Sequence, residues 1–488
     1  MNRRARWVAF GAAILLFALV VSRLLSPPPA SEAPLLVYCA AGMRPAVEAC
    51  VKAYGRAVDL SFGGSQTLLV GAEVSGRGDL LIPGDDSYLR MAREKGLLAE
   101  TIAVAKMKAV LAVRKGNPKS IRGLADLLRA DLKVVLPNPE ATASGKLVKA
   151  ALDKAGRWTE VSARAAVYKP TVNEVANDLK LGSADAGFVW DATVRQYPEL
   201  EAVMLPELEG VTANISAGVL KSSANPTEAL RFARFMASSD RGGPEFERNG
   251  YVPAGGDAWE ERPSVVLYSG AMLRPAIEKT LEDFERREGC TVSRVYNGCG
   301  ILVAQMKAGA RPDLYFACDQ SFMVEVKDLY TAPRDVSVNQ LVIMVHKGNP
   351  HQVLSLQDLG KPGLRVGIGH EKQCALGALT QETLSQTKLR ERVMKNVVVQ
   401  TPTGDLLVNQ LRTGTLDAIV AYLSNAAGAG EALEAIKVDV PCAMATQPIA
   451  VGRESTKKQI GSRLVEAILA EPSKGRFLTE GFRWKGSP

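Results

Sequence analysis

The sequence contains few of the residues and motifs on which enzymes and nucleic-acid-binding proteins depend. Of its 488 residues only 3 are histidine, and Phe, Trp and Tyr together make up 6%. It has no Gly-x-Ser-x-Gly elbow, no His-Glu-x-x-His helix and no phosphate-binding glycine loop. The net charge is +8, but no long Lys/Arg run and no alternation of basic with aromatic residues is present. The sequence therefore predicts a protein that is not an enzyme, needs no cofactor and binds no nucleic acid.

Cysteine is present without the spacing of a disulfide framework. The chain has 7 cysteines, an odd number. Cys299, Cys318 and Cys374 each follow a predicted strand of the second half, and His370 stands four residues before Cys374. Because thiolates and imidazole select zinc or copper, a soft-metal site at these four residues is one alternative. A disulfide within the group is another, and we expect inert packing with no metal.

One pattern of residues occurs twice along the chain. Tyr38–Ala46 is matched by Tyr268–Ala276, 230 residues later. Later positions keep nearly the same offset: Asp79 and Asp313, Asp85 and Asp319, Lys115 and Lys347, Asp126 and Asp358, Trp190 and Tyr422, Tyr251 and Phe482. A period this long indicates a duplicated domain, because solenoid repeats are about 20–50 residues long. We expect domains at residues 34–256 and 262–486.

The amino-terminal segment, residues 1–33, predicts export. Arginines at positions 3, 4 and 6 precede an uncharged apolar run from Trp7 to Val21. The best small-residue cleavage site lies beyond the Pro27–Pro29 tract. We therefore expect an uncleaved anchor in the cytoplasmic membrane, followed by a stiff linker and a periplasmic or other extracytoplasmic remainder. A cleaved signal peptide is the alternative.

Strands and helices alternate within each copy. Leu35–Ala40 is an apolar run that ends in small residues, and helical spacing begins at Arg44, with Pro45 in the first turn. The next strand, Val58–Phe62, runs into the Gly-Gly-Ser sequence at 63–65. Such alternation with short glycine loops predicts an α/β fold with an open, mostly parallel sheet. Ligands of these sheets bind outside the carboxyl ends of the strands.

The loops at those strand ends share one chemical property. The loops at 41–43, 63–65, 270–272 and 298–300 each present backbone N–H groups at the start of a helix and contain no carboxylate. Helix amino ends hold anions without a formal cation. A single loop of this kind is adequately explained as an ordinary cap or turn. Their occurrence at equivalent points of both copies predicts an anion site.

The order of these features resembles the periplasmic molybdate-binding proteins of ABC importers. The shared pattern includes a short acidic strand such as Pro312–Asp319, a loop of the 139–145 type and a strand that ends in tyrosine, as at Tyr422. The resemblance runs along each copy to the closing segments Gly250–Pro253 and Gly481–Phe482.

The resemblance implies both a fold and a function. The fold would be two tandem type II periplasmic-binding-protein domains, each of two lobes with mostly parallel sheets and a hinge, near Ala109–Arg114 and Leu341–His346. The function would be extracytoplasmic capture of a small tetrahedral oxyanion, molybdate or tungstate, for ABC permease subunits. The alternatives are a membrane-tethered ligand sensor or scaffold, and the soft-metal binder described above.

Carried over position by position, the resemblance also implies which residues contact the anion. They are Gly42, Ser65, Ser144, Asn173 and Trp190 in the first copy, and Met272, Cys299, Leu376, Asp405, Leu406 and Tyr422 in the second. Ser269 is added because its hydroxyl can turn inward. Gly42 and Met272 stand where the family has serine, as does Cys299, and Trp190 replaces a tyrosine. We therefore expect two functional but unequal sites.

Overall fold

A computed structural model describes residues 33–427 and 429–486. The predicted membrane anchor lies outside these residues. Within the described part of the chain, no helix combines the length and the apolar character that crossing a membrane requires.

The chain forms two units. The first contains the described residues through Ala233 together with Glu245–Val252, and the second contains Arg234–Pro244 and the residues from Pro253 onward. The chain passes between the two units at residues 234–253, where the first sequence copy ends. Each unit is described by itself below.

Ten strands build the first unit and its closing segment. They are β1 Leu35–Ala40, β2 Val58–Gly63, β3 Leu80–Ile82, β4 Leu98–Arg114, β5 Val134–Pro137, β6 Ala165–Lys169, β7 Ala186–Trp190, β8 Leu200–Val203, β9 Thr212–Leu220 and β10 Val252–Pro253. Their order is β2-β1-β3-β9-β4-β7-β5-β6, and β8 and β10 also pair with β4. β1, β2 and β3 are parallel, as are β5, β6 and β7. β4 and β9 run antiparallel to their partners.

The second unit repeats this strand order. Its strands are β11 Ser264–Gly270, β12 Thr291–Asn297, β13 Leu314–Phe316, β14 Arg334–His346, β15 Val366–Gly369, β16 Val397–Thr401, β17 Ala418–Tyr422, β18 Leu433–Lys437, β19 Met444–Val451 and β20 Arg483–Trp484. Their order is β12-β11-β13-β19-β14-β17-β15-β16. The predicted α/β fold with a duplicated domain is confirmed.

The helices lie between these strands in both halves. In the first half they are Arg44–Tyr54, Ser65–Ser75, Ser87–Glu94, Ala143–Lys154, Trp158–Ala163, Val172–Leu181, Asp191–Gln196, Pro226–Ala237 and Gly242–Arg248. In the second half they are Arg274–Glu288, Cys299–Lys307, Gln320–Val324, Ala375–Gln386, Arg390–Met394, Gly404–Arg412, Leu423–Ala427, Lys458–Leu469 and Glu471–Thr479.

One long strand belongs to both lobes of each unit. In the first unit, β4 pairs with β9 up to Lys108 and with β7 from Ala109. In the second, β14 pairs with β19 up to Gln340 and with β17 from Leu341. Each unit therefore has two lobes joined at these strands, as the resemblance implies.

The residues that repeat in the sequence make the same scaffold contacts in both units. Asp79 Oδ2 accepts a hydrogen bond from the Leu36 N–H at 2.8 Å, and Asp313 Oδ2 accepts one from the Val266 N–H at 2.8 Å. Each carboxylate ties the first strand of its unit to the start of the third. The sequence identity between the copies at these positions is thus a requirement of the fold.

The repeated Lys-Gly-Asn-Pro turns are also structural. Asn117 has a positive φ of 42° and Asn349 one of 45°, a region that asparagine tolerates better than most residues. The Asn117 side chain bonds the N–H and C=O of Ile121, and Asn349 bonds those of Val353. The turn at the end of each shared strand is therefore fixed by one asparagine.

The aromatic core of the second unit provides a stability test. Phe477 is fully buried, with ring centroids 5.3 Å from Phe482 and 5.5 Å from Trp484, whereas the adjacent Leu478 is 51% exposed. We expect Phe477→Ala to lower the free energy of unfolding by about 3–5 kcal/mol because it leaves a cavity. Leu478→Ala should change it by less than about 0.5 kcal/mol. Urea unfolding monitored by circular dichroism measures both, and equal effects would contradict this packing.

Candidate functional site between the lobes

Four helix starts from two lobes converge on one cavity in the first unit. The helices begin at or next to Met43 and Ser65 in one lobe, and Ala143 and Val172 in the other. Each follows the carboxyl end of a parallel strand, which is the edge where ligands of such sheets bind. Trp190, at the end of β7, lies beside them and is buried.

The first cavity encloses about 330 Å³, counting the space open to solvent. Its lining residues are Ala40, Ala41, Gly42, Met43, Gly63, Gly64, Ser65, Gly84, Met107, Thr142, Ala143, Ser144, Thr171, Val172 and Trp190. None of these described residues carries a charge. The polar groups that they offer are backbone amides, hydroxyls and one indole N–H.

The second unit has a smaller cavity at the equivalent place, of about 260 Å³. Its lining residues are Ala271, Met272, Asn297, Gly298, Cys318, Cys374, Ala375, Leu376, Pro402, Thr403, Gly404 and Tyr422. The same four helix starts and the same strand end contribute, so the geometry is preserved while the side chains differ.

This arrangement favours a small anion. The first N–H groups of a helix have no partner within the helix, and the helix dipole places partial positive charge there. Some of these groups are already used, because Thr142 caps its helix by accepting from the Gly145 N–H at 2.9 Å. The remaining amides of four helices can donate to one ligand without a lysine or arginine.

The two lobes touch each other across the cavity in both units. The Gln66 N–H donates to the Ala141 C=O at 3.2 Å, and in the second unit the Gly300 N–H donates to the Gln373 C=O at 3.0 Å. Gly64, directly before the helix Ser65–Ser75, makes this approach possible in the first unit. A Cβ on Gly64 would lie 2.7 Å from the Pro170 oxygen and 2.8 Å from that of Ala141.

Comparison with known proteins agrees with this architecture. A family model described as bacterial extracellular solute-binding protein matches the chain twice, over residues 35–252 and 265–483. The chain belongs to this family. Its members are binding proteins, so the predicted absence of catalysis and the predicted export agree with the family.

Individual relatives match this solute-binding chain over less than half of its length. A putative binding protein of Haemophilus influenzae is 26% identical over 162 residues, 33% of this chain and 66% of that protein. The molybdate-binding protein ModA of Mycobacterium tuberculosis is 26% identical over 224 residues, 45% of this chain and 84% of that protein. The structure of the Azotobacter vinelandii periplasmic molybdate-binding protein is 13% identical with a TM-score of 0.40, covering 45% of this chain and 98% of that one.

Most of the predicted site residues of the first solute-binding unit line its cavity. Gly42, Ser65, Ser144 and Trp190 do so. Asn173 does not; it lies one residue beyond the lining residue Val172, and its side-chain oxygen is buried without a hydrogen-bond partner in the described structure.

Sequence reasoning did not place Gly84, Met107, Thr171 and Val172 in the first site. All four line the cavity. Gly84 follows the short strand β3, Met107 lies on the strand shared by the lobes, and Thr171 and Val172 open a helix. The position of Thr171 before a predicted helix start was the available signal. No sequence signal pointed to Met107, because its place in the cavity lining depends on how the two lobes meet.

Fewer than half of the predicted site residues of the second unit line its cavity. Met272, Leu376 and Tyr422 line the cavity. The hydroxyl of Tyr422 is buried and has no hydrogen-bond partner among the described residues, and burial raises its pKa well above the usual value. Tyr422 therefore keeps an unused donor beside the cavity.

Four other predicted residues do not line the second cavity. Ser269 is fully buried and donates to the Gly270 C=O at 3.4 Å, and Asp405 accepts from the Asn425 amide at 3.0 Å. Leu406 is 45% exposed to solvent. Cys299 is fully buried behind the cavity wall. These residues were predicted from their positions along the sequence. Which side chains reach the cavity depends instead on how each helix is rotated and on the side chains' own contacts.

A serine and a cysteine occupy the same structural position in the two units. The Ser65 hydroxyl oxygen accepts from the Gly84 N–H at 3.1 Å, and the Cys299 sulfur accepts from the Cys318 N–H at 3.1 Å. In the first unit the hydroxyl hydrogen remains able to donate to a ligand. In the second unit the equivalent group is a thiol, which is a weaker donor and does not line the cavity.

Burial and hydrogen bonding together shift the pKa values of the thiols around the second cavity. Burial raises the pKa of Cys374 to about 11. The hydrogen bond with Cys299, together with burial, raises the pKa of Cys318 well above its usual value. Burial also acts to raise the pKa of Cys299, but hydrogen bonds from Cys318 outweigh it and hold that pKa below the usual value.

The described residues of the second unit contain neither a metal-ligand group nor a disulfide. No group of three or more His, Cys, Asp or Glu side chains in the described residues is arranged to hold a metal ion. His370 instead accepts a hydrogen bond from the Lys372 N–H through Nδ1 at 3.2 Å. All seven cysteines are free thiols. Six are buried, where a free thiol behaves as a small apolar group.

The free thiols can be counted in solution. We expect the unfolded, unreduced chain to release seven equivalents of chromophore from an aromatic disulfide reagent. In the native protein Cys442 should react first, because it is partly exposed while the other six cysteines are buried. Cys442→Ser should remove the fast phase. Fewer than seven thiols in the unfolded chain would reveal a disulfide and contradict the structure.

Proposed function

We propose that this solute-binding protein captures a small tetrahedral oxyanion, molybdate or tungstate, outside the cytoplasm and delivers it to an ABC permease. The single observation that carries the proposal is the convergence of four helix starts on an uncharged cavity in each unit. The name of the Mycobacterium tuberculosis relative, a molybdate-binding protein, supports the choice of ligand.

Neutral donors fit a fully ionised dianion. The amides, the hydroxyls of Ser65 and Ser144 and the Trp190 indole can each donate one hydrogen bond to an oxygen of the ligand. The lining side chains of the first cavity include no carboxylate that would accept a hydrogen bond from the ligand. A protonated anion would leave its O–H unsatisfied, at a cost of about 1–3 kcal/mol. The site is therefore expected to prefer molybdate or tungstate to monohydrogen phosphate.

The two units are proposed to bind with unequal affinity. Ser65 of the first unit corresponds to Cys299 of the second, and Ser144 corresponds to Leu376. Each lost hydrogen bond to a charged ligand costs about 1.5–3 kcal/mol, which is about ten- to a hundredfold in affinity. The first unit is therefore proposed as the tighter site, with Tyr422 retaining a donor in the second.

The remaining expectations become part of this proposal. Residues 1–33 are proposed to anchor the protein in the cytoplasmic membrane, so that two binding domains, residues 34–256 and 262–486, stay close to the permease. The stiff Pro27–Pro29 tract would hold them off the membrane surface.

Calorimetric titration of the full-length chain in mild detergent tests the ligand. We expect heat and an increase in melting temperature with molybdate and tungstate, and a weaker response with phosphate, whose O–H would stay unsatisfied. Sulfate, a smaller full dianion, is titrated alongside. Two phases of unequal affinity are expected. No response to any of the four anions would overturn the proposed function.

Glycine-to-alanine variants can show which unit gives rise to each of the two binding phases. Gly64→Ala should weaken the first site by at least about tenfold, because its Cβ would collide with two carbonyl oxygens of the opposite lobe. Gly298→Ala should do the same to the second site, where a Cβ would lie 2.4 Å from the Gln373 oxygen and 2.5 Å from that of Pro402.

Two glycines in helices serve as matched controls for these variants. A Cβ on Gly71 would meet nothing closer than 3.9 Å, and one on Gly475 nothing within 4 Å. Gly71→Ala and Gly475→Ala should therefore leave both phases unchanged. If Gly64→Ala and Gly298→Ala leave both phases intact as well, the anion does not bind between the lobes.

A further inference from the structure

A lysine spans the cleft in the first unit. Lys146 belongs to the helix Ala143–Lys154 of one lobe, and its Nζ lies 3.2 Å from the Ser87 hydroxyl of the other lobe. The same ammonium lies 5.1 Å from the centroid of the Tyr88 ring. Ser87 and Tyr88 open the helix that follows β3, and both are buried.

Lys146 makes two interactions with the opposite lobe, a hydrogen bond to Ser87 and a cation–π contact with Tyr88. The ammonium donates to a hydroxyl, and it also faces the ring of a tyrosine that remains a neutral phenol, because burial raises the pKa of Tyr88 to about 12. Both partners of Lys146 are on the opposite lobe, so neither interaction can form when the lobes are apart. Lys146 does not line the cavity.

The second unit lacks this contact and has an open groove in its place. Ala378 occupies the position of Lys146, while Ser321 and Phe322 keep the positions of Ser87 and Tyr88. Ala378, Ser321 and Phe322 now line a groove of about 1190 Å³, counting the space open to solvent. The duplication therefore supplies an internal comparison, with the opposite face preserved and the lysine removed.

We propose that Lys146 is an affinity-determining residue of the first unit that acts by holding its two lobes together. An interaction that exists only in the closed state shifts the equilibrium toward that state by its own free energy. A ligand enclosed between the lobes can leave only after they separate. Lys146 therefore slows ligand release without touching the ligand, and the second unit releases faster.

The size of the effect follows from the exposure of the contact. Lys146 is exposed, so one cation–π contact and one hydrogen bond together should change the closed population by about three- to tenfold. The change should appear in the dissociation rate, because encounter with the open cleft does not involve Lys146.

Hydrogen exchange tests the proposal without any ligand. The amide of Gln66 donates across the cleft to Ala141, so its exchange reports separation of the lobes. In the full-length chain, Lys146→Ala should speed exchange of the peptide containing Gln66 by about three- to tenfold. The peptide containing Gly300, which makes the equivalent bond in the second unit, should be unchanged.

The kinetic consequence rests on the proposed function and has its own measurement. Trp190 lines the first cavity, whereas Tyr422 takes its place in the second, whose lining contains no tryptophan. The change in tryptophan fluorescence on ligand release is therefore expected to come from Trp190 of the first unit. Stopped-flow release of molybdate should be about three- to tenfold faster from Lys146→Ala, with an unchanged association rate. Lys146→Arg should restore slow release, because arginine can make both contacts.

Two further variants distinguish the contact of Lys146 across the cleft from a general effect of removing a lysine from this helix. Lys149 is on the same helix but pairs with Asp153 at 2.5 Å, within its own lobe, so Lys149→Ala should exchange and release as the wild type does. Ala378→Lys should slow exchange of the Gly300 peptide. Unchanged exchange at Gln66 in Lys146→Ala overturns the proposal whatever the ligand, whereas failure of every anion to bind overturns only the proposed function.

Discussion

The shared strand of each unit is the constraint on which the rest of the structure depends. β4 carries its backbone hydrogen bonds from one lobe to the other at Lys108 and Ala109, and β14 does so at Gln340 and Leu341. Because main-chain ladders leave little freedom of translation, the lobes can change their angle but not their register. The carboxyl ends of the parallel strands in both lobes therefore face one cleft, and the helix starts that follow them meet there.

The duplication separates what the fold requires from what the ligand requires. Asp79 and Asp313 make one contact twice, and Asn117 and Asn349 another. The cavity linings differ instead, with hydroxyls at several positions of the first unit and sulfur or aliphatic groups at the same positions of the second. Losing a scaffold hydrogen bond would destabilise a unit, whereas losing a cavity donor changes only what the unit binds.

The proposed anion site contains no formally charged group, which is a physical advantage if the lobes close on the ligand. Backbone amides are fixed by the helices that carry them, so they need no reorganisation when the lobes close. A buried lysine or arginine would pay a large desolvation cost whenever the cleft closed without its anion. Lys146 lies outside the cavity and is exposed, so its proposed contribution to closure does not require a buried charge.

The sequence by itself determined the duplication, the α/β class and the helix starts at Gly42, Ser65 and Ser144, because these depend on local spacing and on repeated residues. The hinge strands were expected from the family resemblance. Tertiary structure alone decided which side chains reach the cavity. Cys299 and Ser269 lie at the ends of correctly predicted elements, yet both are fully buried and neither lines the cavity. Met107 and Lys146 contribute across the cleft, and no local pattern predicts them. The reason is physical: local propensity fixes each element, whereas the approach of two lobes is a long-range property of packing.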